Sequence, residues 1–234
     1  MHIHFIQHES FEAPGAYLQW AEARNHTICF SKVFKGDALP KNVDAIDLLI
    51  VMGGPQSPDT TRDECAYFDA AAEIALIRQA MQAGKKVLGV CLGAQLIGEA
   101  AGGHFEPSPE KEIGVFPIAL TAAGLNDAAL AHWGATLPVG HWHSDMPGLT
   151  PESKVLATSA ACPRQIIAYA DHVYGFQCHM EFTREVVELL IAEEEAFAVR
   201  ENYRFVQSPD EIRNFDYDEM NRKLYGFLDR WTAS

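Results

Sequence analysis

Cys91 stands between Gly89 and Gly93 in the stretch Lys86-Val87-Leu88-Gly89-Val90-Cys91-Leu92-Gly93-Ala94-Gln95-Leu96. A cysteine does covalent chemistry when its sulfur is lifted clear of the backbone, near positive charge and near a base. The spacing supplies the first two conditions. Val87 to Val90 is a short apolar run that reads as a strand buried on both faces. Leu92, Leu96, Ile97 and Ala100 then recur at helical spacing, and Gly102-Gly103 stops the helix. Cys91 therefore falls on a strand-to-helix turn, the position serine takes in a G-x-S-x-G nucleophile elbow. The free N–H groups and partial positive charge of the following helix favour a thiolate there. The flanking glycines leave room for a tight backbone and for a substrate. Taken alone, the stretch also fits a buried structural cysteine between two packing glycines.

A nucleophile needs a base, and the base needs an orienting group. Of ten histidines, the best placed is in Tyr174-Gly175-Phe176-Gln177-Cys178-His179-Met180-Glu181. If a strand runs through this segment, its period of two sets His179 and Glu181 on one face and Cys178 and Met180 on the other. A carboxylate two residues away can hold one ring nitrogen while the other meets the sulfur, and it stabilises the imidazolium form. A surface histidine near a helix cap is the plainer reading of this segment. Cys178 rivals Cys91 as nucleophile but lacks a helix N-terminus behind it. His141 and His143, in His141-Trp142-His143-Ser144-Asp145, share a strand face as metal ligands would, but no third ligand stands at a recognisable spacing. Glu110-Lys111-Glu112 and Cys162-Pro163-Arg164 read as solvated charge and turn.

These groups need a scaffold. His2 to Gln7 reads as a strand, Pro14 to Arg24 as a helix, Thr27 to Val33 and Ile46 to Met52 as strands. Thr61 with Glu64 forms a capping box that predicts a helix running to about Ala83. Strand alternating with helix means a largely parallel sheet with helices on both faces, an α/β fold in which ligands bind at the carboxyl ends of the strands. Gly53-Gly54-Pro55 and Cys91 both lie at such ends. The second half is strand-rich with short connections (113–120, 137–142, 154–159, 165–169, 173–178), which predicts a small antiparallel annex. Thr183 caps a helix to about Val199, and Ser208-Pro209-Asp210-Glu211 opens another. The last helix is amphipathic through Met220, Leu224, Phe227, Leu228 and Trp231. We read residues 1–234 as a single domain with 201–234 a helical C-terminal extension.

Composition narrows the function. A hydrophobic content of 48% and a charged content of 21% suit a chain that buries a sizeable core. A formal net charge of −14 argues against nucleic acid or an anionic membrane as partner. Five cysteines without a C-x-x-C pair fit a reducing cytoplasm better than a disulfide framework. No signal-peptide pattern and no membrane-length apolar run is visible.

Gly89-Val90-Cys91-Leu92-Gly93-x-Gln95, with Gly53-Gly54-Pro55 upstream and His179-x-Glu181 downstream, resembles the class I glutamine amidotransferase family, above all the glutaminase domain of GMP synthetase and its stand-alone relatives. The likeness covers about residues 1–200, and three motifs in order make it specific. It implies a flavodoxin-like fold and a Cys91–His179–Glu181 triad that hydrolyses the side-chain amide of glutamine through a γ-glutamyl thioester, with no cofactor. It implies an oxyanion hole from the backbone N–H groups of Gly54 and Leu92. Substrate contacts would come from Gly53, Gln95 and the His143-Ser144-Asp145 loop. Many relatives carry histidine where this chain has Ala94, which implies altered packing. A separate synthetase subunit is one expected partner. A stand-alone γ-glutamyl hydrolase and a catalytically silent binding module are the alternatives.

Overall fold

The computed structural model, which describes residues 1–233, turns the pattern of the first half into a parallel sheet. In chain order the elements are β1 (His2–Gln7), α1 (Gly15–Ala23), β2 (Thr27–Lys32), β3 (Leu48–Val51), α2 (Ala70–Gln82), β4 (Lys86–Val90) and α3 (Leu92–Ala101). The strands β2, β1, β3 and β4 lie side by side in parallel. Their alternation divides the core in two. Ile3, Phe5, Leu48, Ile50, Leu88 and Val90 face one layer, with Tyr17 and Trp20 of α1. Ile6, Leu49, Val51 and Val87 face the other, with Leu76 and Ile77 of α2 and Leu96 and Ile97 of α3. Burial on both faces is why these strands read as continuous apolar runs.

The second half holds β5 (Glu106–Leu120), α4 (Ala122–Leu125), β6 (Thr136–Met146), β7 (Lys154–Thr158), β8 (Ile166–Ala170) and β9 (Val173–Phe176). β9 joins β4 in parallel, and β8, β7 and β5 follow antiparallel, so the antiparallel strands continue the same sheet. β6 pairs antiparallel with β5 beside this path. α5 (Arg184–Glu193), β10 (Phe205–Val206), α6 (Pro209–Arg213) and α7 (Asp218–Ala233) complete the described chain.

Two helix expectations need correcting. Thr61 and Glu64 do pair, both the N–H and the hydroxyl of Thr61 reaching Glu64 Oε2 at 2.8 Å, but the motif closes only a short turn. α2 begins instead after Asp69, whose carboxylate accepts from Ala72 N–H, once Phe68 has been drawn into the core. The helix after Thr183 ends at Glu193 and gives way to 3-10 turns over Glu195–Asn202, with non-helical torsions at Val199. α6 has the full capping box, with Ser208 and Glu211 each satisfying the other's backbone.

α7 buries Met220, Leu224, Phe227, Leu228 and Trp231. Phe227 packs against Phe176, Tyr174 and Trp231 at ring separations of 5.0, 5.2 and 5.6 Å. Removing such a ring from a filled core costs about 3–5 kcal/mol. Asp229 accepts from Trp20 Nε1 at 2.8 Å, tying α7 to α1. The C-terminal helix thus packs on the sheet that carries the site.

Candidate active site

Cys91 sits at the turn between β4 and α3 with φ 51° and ψ −109°, a conformation rare outside glycine. A backbone held there costs on the order of 1–3 kcal/mol, so its surroundings must hold it. They do. Cys91 N–H donates to Phe176 O at 2.8 Å, and Cys91 O accepts from Ala94 and Gln95 N–H as α3 begins. The flanking glycines serve close packing rather than substrate room. A β-carbon on Gly89 would fall 2.3 Å from the Gly93 carbonyl, and one on Gly93 would fall 2.0 Å from Val51 O. Only glycine lets α3 start this close to the sheet. Ala94 is fully buried against Gly175 of β9, a purely packing position.

The sulfur lies at the floor of a cleft of about 300 Å³. Cys91 is only 5% exposed, and its thiol points to Trp142 O at 3.6 Å. Gly54, Gln95, His143, Ser144 and Asp145 line the same cleft, and Gly53 is adjacent: a β-carbon there would lie 3.4 Å from Cys91 Cβ. Gly54 and Leu92 are neighbours, since a β-carbon on Gly54 would lie 3.0 Å from Leu92 Cδ2. Leu92 is the first residue of α3, where a backbone N–H has no acceptor inside the helix. Gln95 donates to Gln177 Oε1 at 3.2 Å, leaving its own carbonyl oxygen unpaired.

His179 is reached from Phe176 in three residues, but not along a strand. β9 ends at Phe176, and His179 instead makes an isolated two-bond bridge to Gly140 of β6, at 2.8 and 3.1 Å. The period-two argument thus gave the right pairing for the wrong reason. His179 Nδ1 meets Glu181 Oε1 at 2.5 Å, and the ring stacks on Phe182 at 4.7 Å. Burial opposes charge on His179. The Glu181 carboxylate, its hydrogen bond and the Cys91 thiol outweigh burial and raise the imidazole well above its ordinary value. Among the described residues Nε2 makes no hydrogen bond of ordinary geometry, and besides Glu181 the ring interacts with the Cys91 side chain. The Glu181 carbonyl accepts from Ala16 N–H at the start of α1. Asn221 of α7 donates to the carbonyls of Met180 and Phe182 at 2.9 and 3.1 Å, so the last helix clasps the backbone on both sides of Glu181. Cys178 is wholly buried, and burial followed by the Glu181 charge drives its thiol well above the usual range. It has none of the features of a nucleophile.

Several groups near the site escape a reading of local sequence. Glu12 lines the cleft, and its Oε2 would lie 2.5 Å from a β-carbon on Gly53. Burial, opposed by His179 and supported by the charge of Glu181, lifts its carboxyl to about 7. Asn221 comes from 40 residues downstream of Glu181 in the chain. Glu112, read as solvated charge, is fully buried, and so is Cys162, read as turn. The register shift in β5 between Pro107 and Glu112 marks where that strand turns its carboxylate inward. Glu112, His141 and His143 each bring one possible metal-ligand atom within 4.8 Å of the others, the third ligand that spacing did not offer. However, Glu112 Oε2 already accepts from Gln165 at 2.6 Å and from Ser159 at 2.9 Å, and lies 3.2 Å from His143 Nε2. Burial pushes His141 down to about 4, so it is neutral there. Glu112, His141 and His143 form a buried polar cluster beside the His143–Asp145 wall of the cleft, in which Glu112 Oε1, His141 Nδ1 and His143 Nδ1 have no hydrogen-bond partner among the described residues.

The family model for glutamine amidotransferase class-I matches residues 20–197 of this chain. This chain belongs to that family. The glutamine amidotransferase-like protein YfeJ of Salmonella typhimurium (strain LT2) is 57% identical over 235 residues, covering 100% of this chain and 98% of that protein. GMP synthase [glutamine-hydrolyzing] of Edwardsiella ictaluri is 36% identical over 142 residues, 58% of this chain but only 25% of that enzyme. The crystal structure of SMU.1228c superposes with a TM-score of 0.98 at 52% identity, covering 99% of this chain and 100% of that one. The likeness to the glutaminase part of GMP synthetase, and the α/β fold it implied, therefore hold for this class I glutamine amidotransferase family member. Among the described residues no helix is long and apolar enough to cross a membrane.

Proposed function

We propose that this chain is a cysteine-dependent amidohydrolase that cleaves the side-chain amide of glutamine or a closely related γ-glutamyl bond. One observation carries the reading: Cys91 on its strained elbow lies between the Gly53-Gly54 loop and a fully buried His179–Glu181 pair. In this mechanism Cys91 gives its proton to His179 Nε2 and the sulfur attacks the amide carbon. The carbonyl oxygen becomes an oxyanion, held by the N–H groups of Gly54 and Leu92, each contributing about 3 kcal/mol. Collapse breaks the C–N bond, and His179 returns the proton to the departing nitrogen, releasing ammonia or an amine. Water, deprotonated by His179, then opens the thioester to free glutamate and restores the thiol. Glu181 keeps the ring oriented throughout. Gly53, Gln95, His143, Ser144 and Asp145 are the proposed contacts for the amino-acid end of the substrate.

The cleft favours a second reading as well. Phe11, Trp142 and Leu190 line it beside the polar groups, giving an apolar wall that a leaving amine larger than ammonia would use. Ammonia release from glutamine, compared with amine release from γ-glutamyl dipeptides by the purified chain, separates the two. We expect unaided turnover of at least one class. Negligible turnover of both, rescued by a co-purifying synthetase, would establish an ammonia-donating subunit instead. No rescue and no turnover would favour a silent binding module.

A further inference from the structure

A second histidine–carboxylate pair lies on the far side of the Gly53-Gly54 loop. His8, just past β1, is fully buried, with its ring edge-on to Phe68 at 5.6 Å. Its Nδ1 lies 2.9 Å from Gly53 O, and its Nε2 lies 2.9 Å from Glu73 Oε2 on α2. A carbonyl oxygen can only accept, so Nδ1 carries a proton and donates it. We infer that His8, held by Glu73, is a positioning residue that aims the Gly54 N–H into the cleft by fixing the carbonyl of the same peptide.

The argument follows from peptide geometry. Gly53 C=O and Gly54 N–H belong to one planar unit, and no cis peptide bond occurs among the described residues. In a trans peptide the two groups point in opposite directions. A carbonyl fixed on His8 therefore turns the N–H away from His8, toward the cleft that Gly54 lines beside Cys91. Among the described residues that N–H has no partner within the protein.

The loop needs such a hold because of its own composition. Two glycines in a row make this loop pliable, and the atoms nearest to a β-carbon at either position, Glu12 Oε2 and Gln56 Oε1 at 2.5 Å, are the movable ends of side chains rather than backbone. A peptide between two glycines flips at little steric cost. Pro55 restricts ψ of Gly54 but leaves its φ, and with it the rotation of the preceding peptide, largely free. The side-chain donor of His8 removes that freedom. Burial opposes charge on His8, while Glu73, the Gly53 carbonyl and the more distant Glu12 favour it and prevail. Those are the charged groups facing the ring, from α2 and from the segment after β1.

The inference rests on the proposed thioester chemistry for its kinetic consequence but not for its geometry. The test compares His8→Leu and His8→Asn with wild type, using γ-glutamyl p-nitroanilide and glutamine as substrates. Iodoacetamide capture of Cys91 serves as a probe that needs no oxyanion hole. His8→Leu should lose about 10²-fold in kcat, as for removal of one oxyanion donor. Its KM and alkylation rate should stay within a few-fold of wild type. His8→Asn keeps a donor near the position of Nδ1 and should recover most of the loss. A crystal structure of His8→Leu should show the Gly53–Gly54 peptide turned over or in two orientations. Wild-type kcat in His8→Leu, or turnover and alkylation falling together without recovery in His8→Asn, would overturn the inference. So would an unmoved peptide in the crystal. If wild type cleaves neither substrate, the hydrolase reading fails, and the peptide orientation still decides the role of His8.

Discussion

Cys91→Ala should abolish turnover of any glutamine or γ-glutamyl substrate, by on the order of 10⁴-fold or more, because the bond-forming atom is gone. Its effect on folding should be small. The sulfur lies 3.6 Å from Trp142 O, acts on the His179 ring and borders the cleft at the edge of the core, so little packing volume is lost with it. Alanine also keeps a β-carbon at the strained position, so the elbow's backbone torsions, held by Phe176 O and by the start of α3, need not change. Melting temperature within a few degrees of wild type, with activity at background, is the expected pair of results. Cys178→Ala at the same time should destabilise, since that side chain is fully buried, and leave kcat nearly intact. The reverse pattern would move the nucleophile to Cys178.

Removing the base should cost almost as much. His179→Asn is expected to lower kcat by on the order of 10³-fold, because it deletes both proton transfers. Glu181→Gln should cost less, about 10²-fold, and should leave a signature in pH that mere loss of packing would not. The Glu181 carboxylate raises the His179 imidazole against the burial that opposes it. The imidazolium is the form that protonates the departing nitrogen, so activity falls when pH rises through that value. A neutral amide at 181 withdraws the support, the ring loses its proton at lower pH, and the alkaline limb of kcat/KM moves toward neutrality. A profile of kcat/KM between pH 6 and about pH 10 reads the shift directly. An alkaline limb that stays put in Glu181→Gln would mean that Glu181 does not set the charge of His179.

Much of this site was legible because its signals are local. The elbow is written in the change from strand run to helical spacing at Cys91, and the Ser208 capping box is complete within four residues. What could not be read locally depends on distant partners. Thr61 and Glu64 form the capping contacts, but the helix is postponed because Phe68 is worth more against His8 and the core than as a helical residue in solvent. Glu112 looked solvated because its neighbours Glu110 and Lys111 are charged. Its burial depends on Ser159 and Gln165, about fifty residues away, which donate to it. His179 and Glu181 were paired correctly by number, yet their alignment comes from Gly140, Phe182, Asn221 and the start of α1. Glu12, His8 and Asn221 carry no motif at all. A polar residue that the fold then buries beside a functional backbone leaves its only trace in three dimensions.

The central claim is a covalent bond between Cys91 and a γ-glutamyl group, and it can be seen directly. Wild-type protein mixed with glutamine, or with a γ-glutamyl dipeptide, is quenched in acid during turnover and digested for mass spectrometry. The expected result is one glutamyl group on the peptide containing Cys91, absent from Cys91→Ala and accumulating further in His179→Asn if attack outlasts hydrolysis. Turnover with no acylated cysteine, or with the glutamyl group on Cys178, would contradict it.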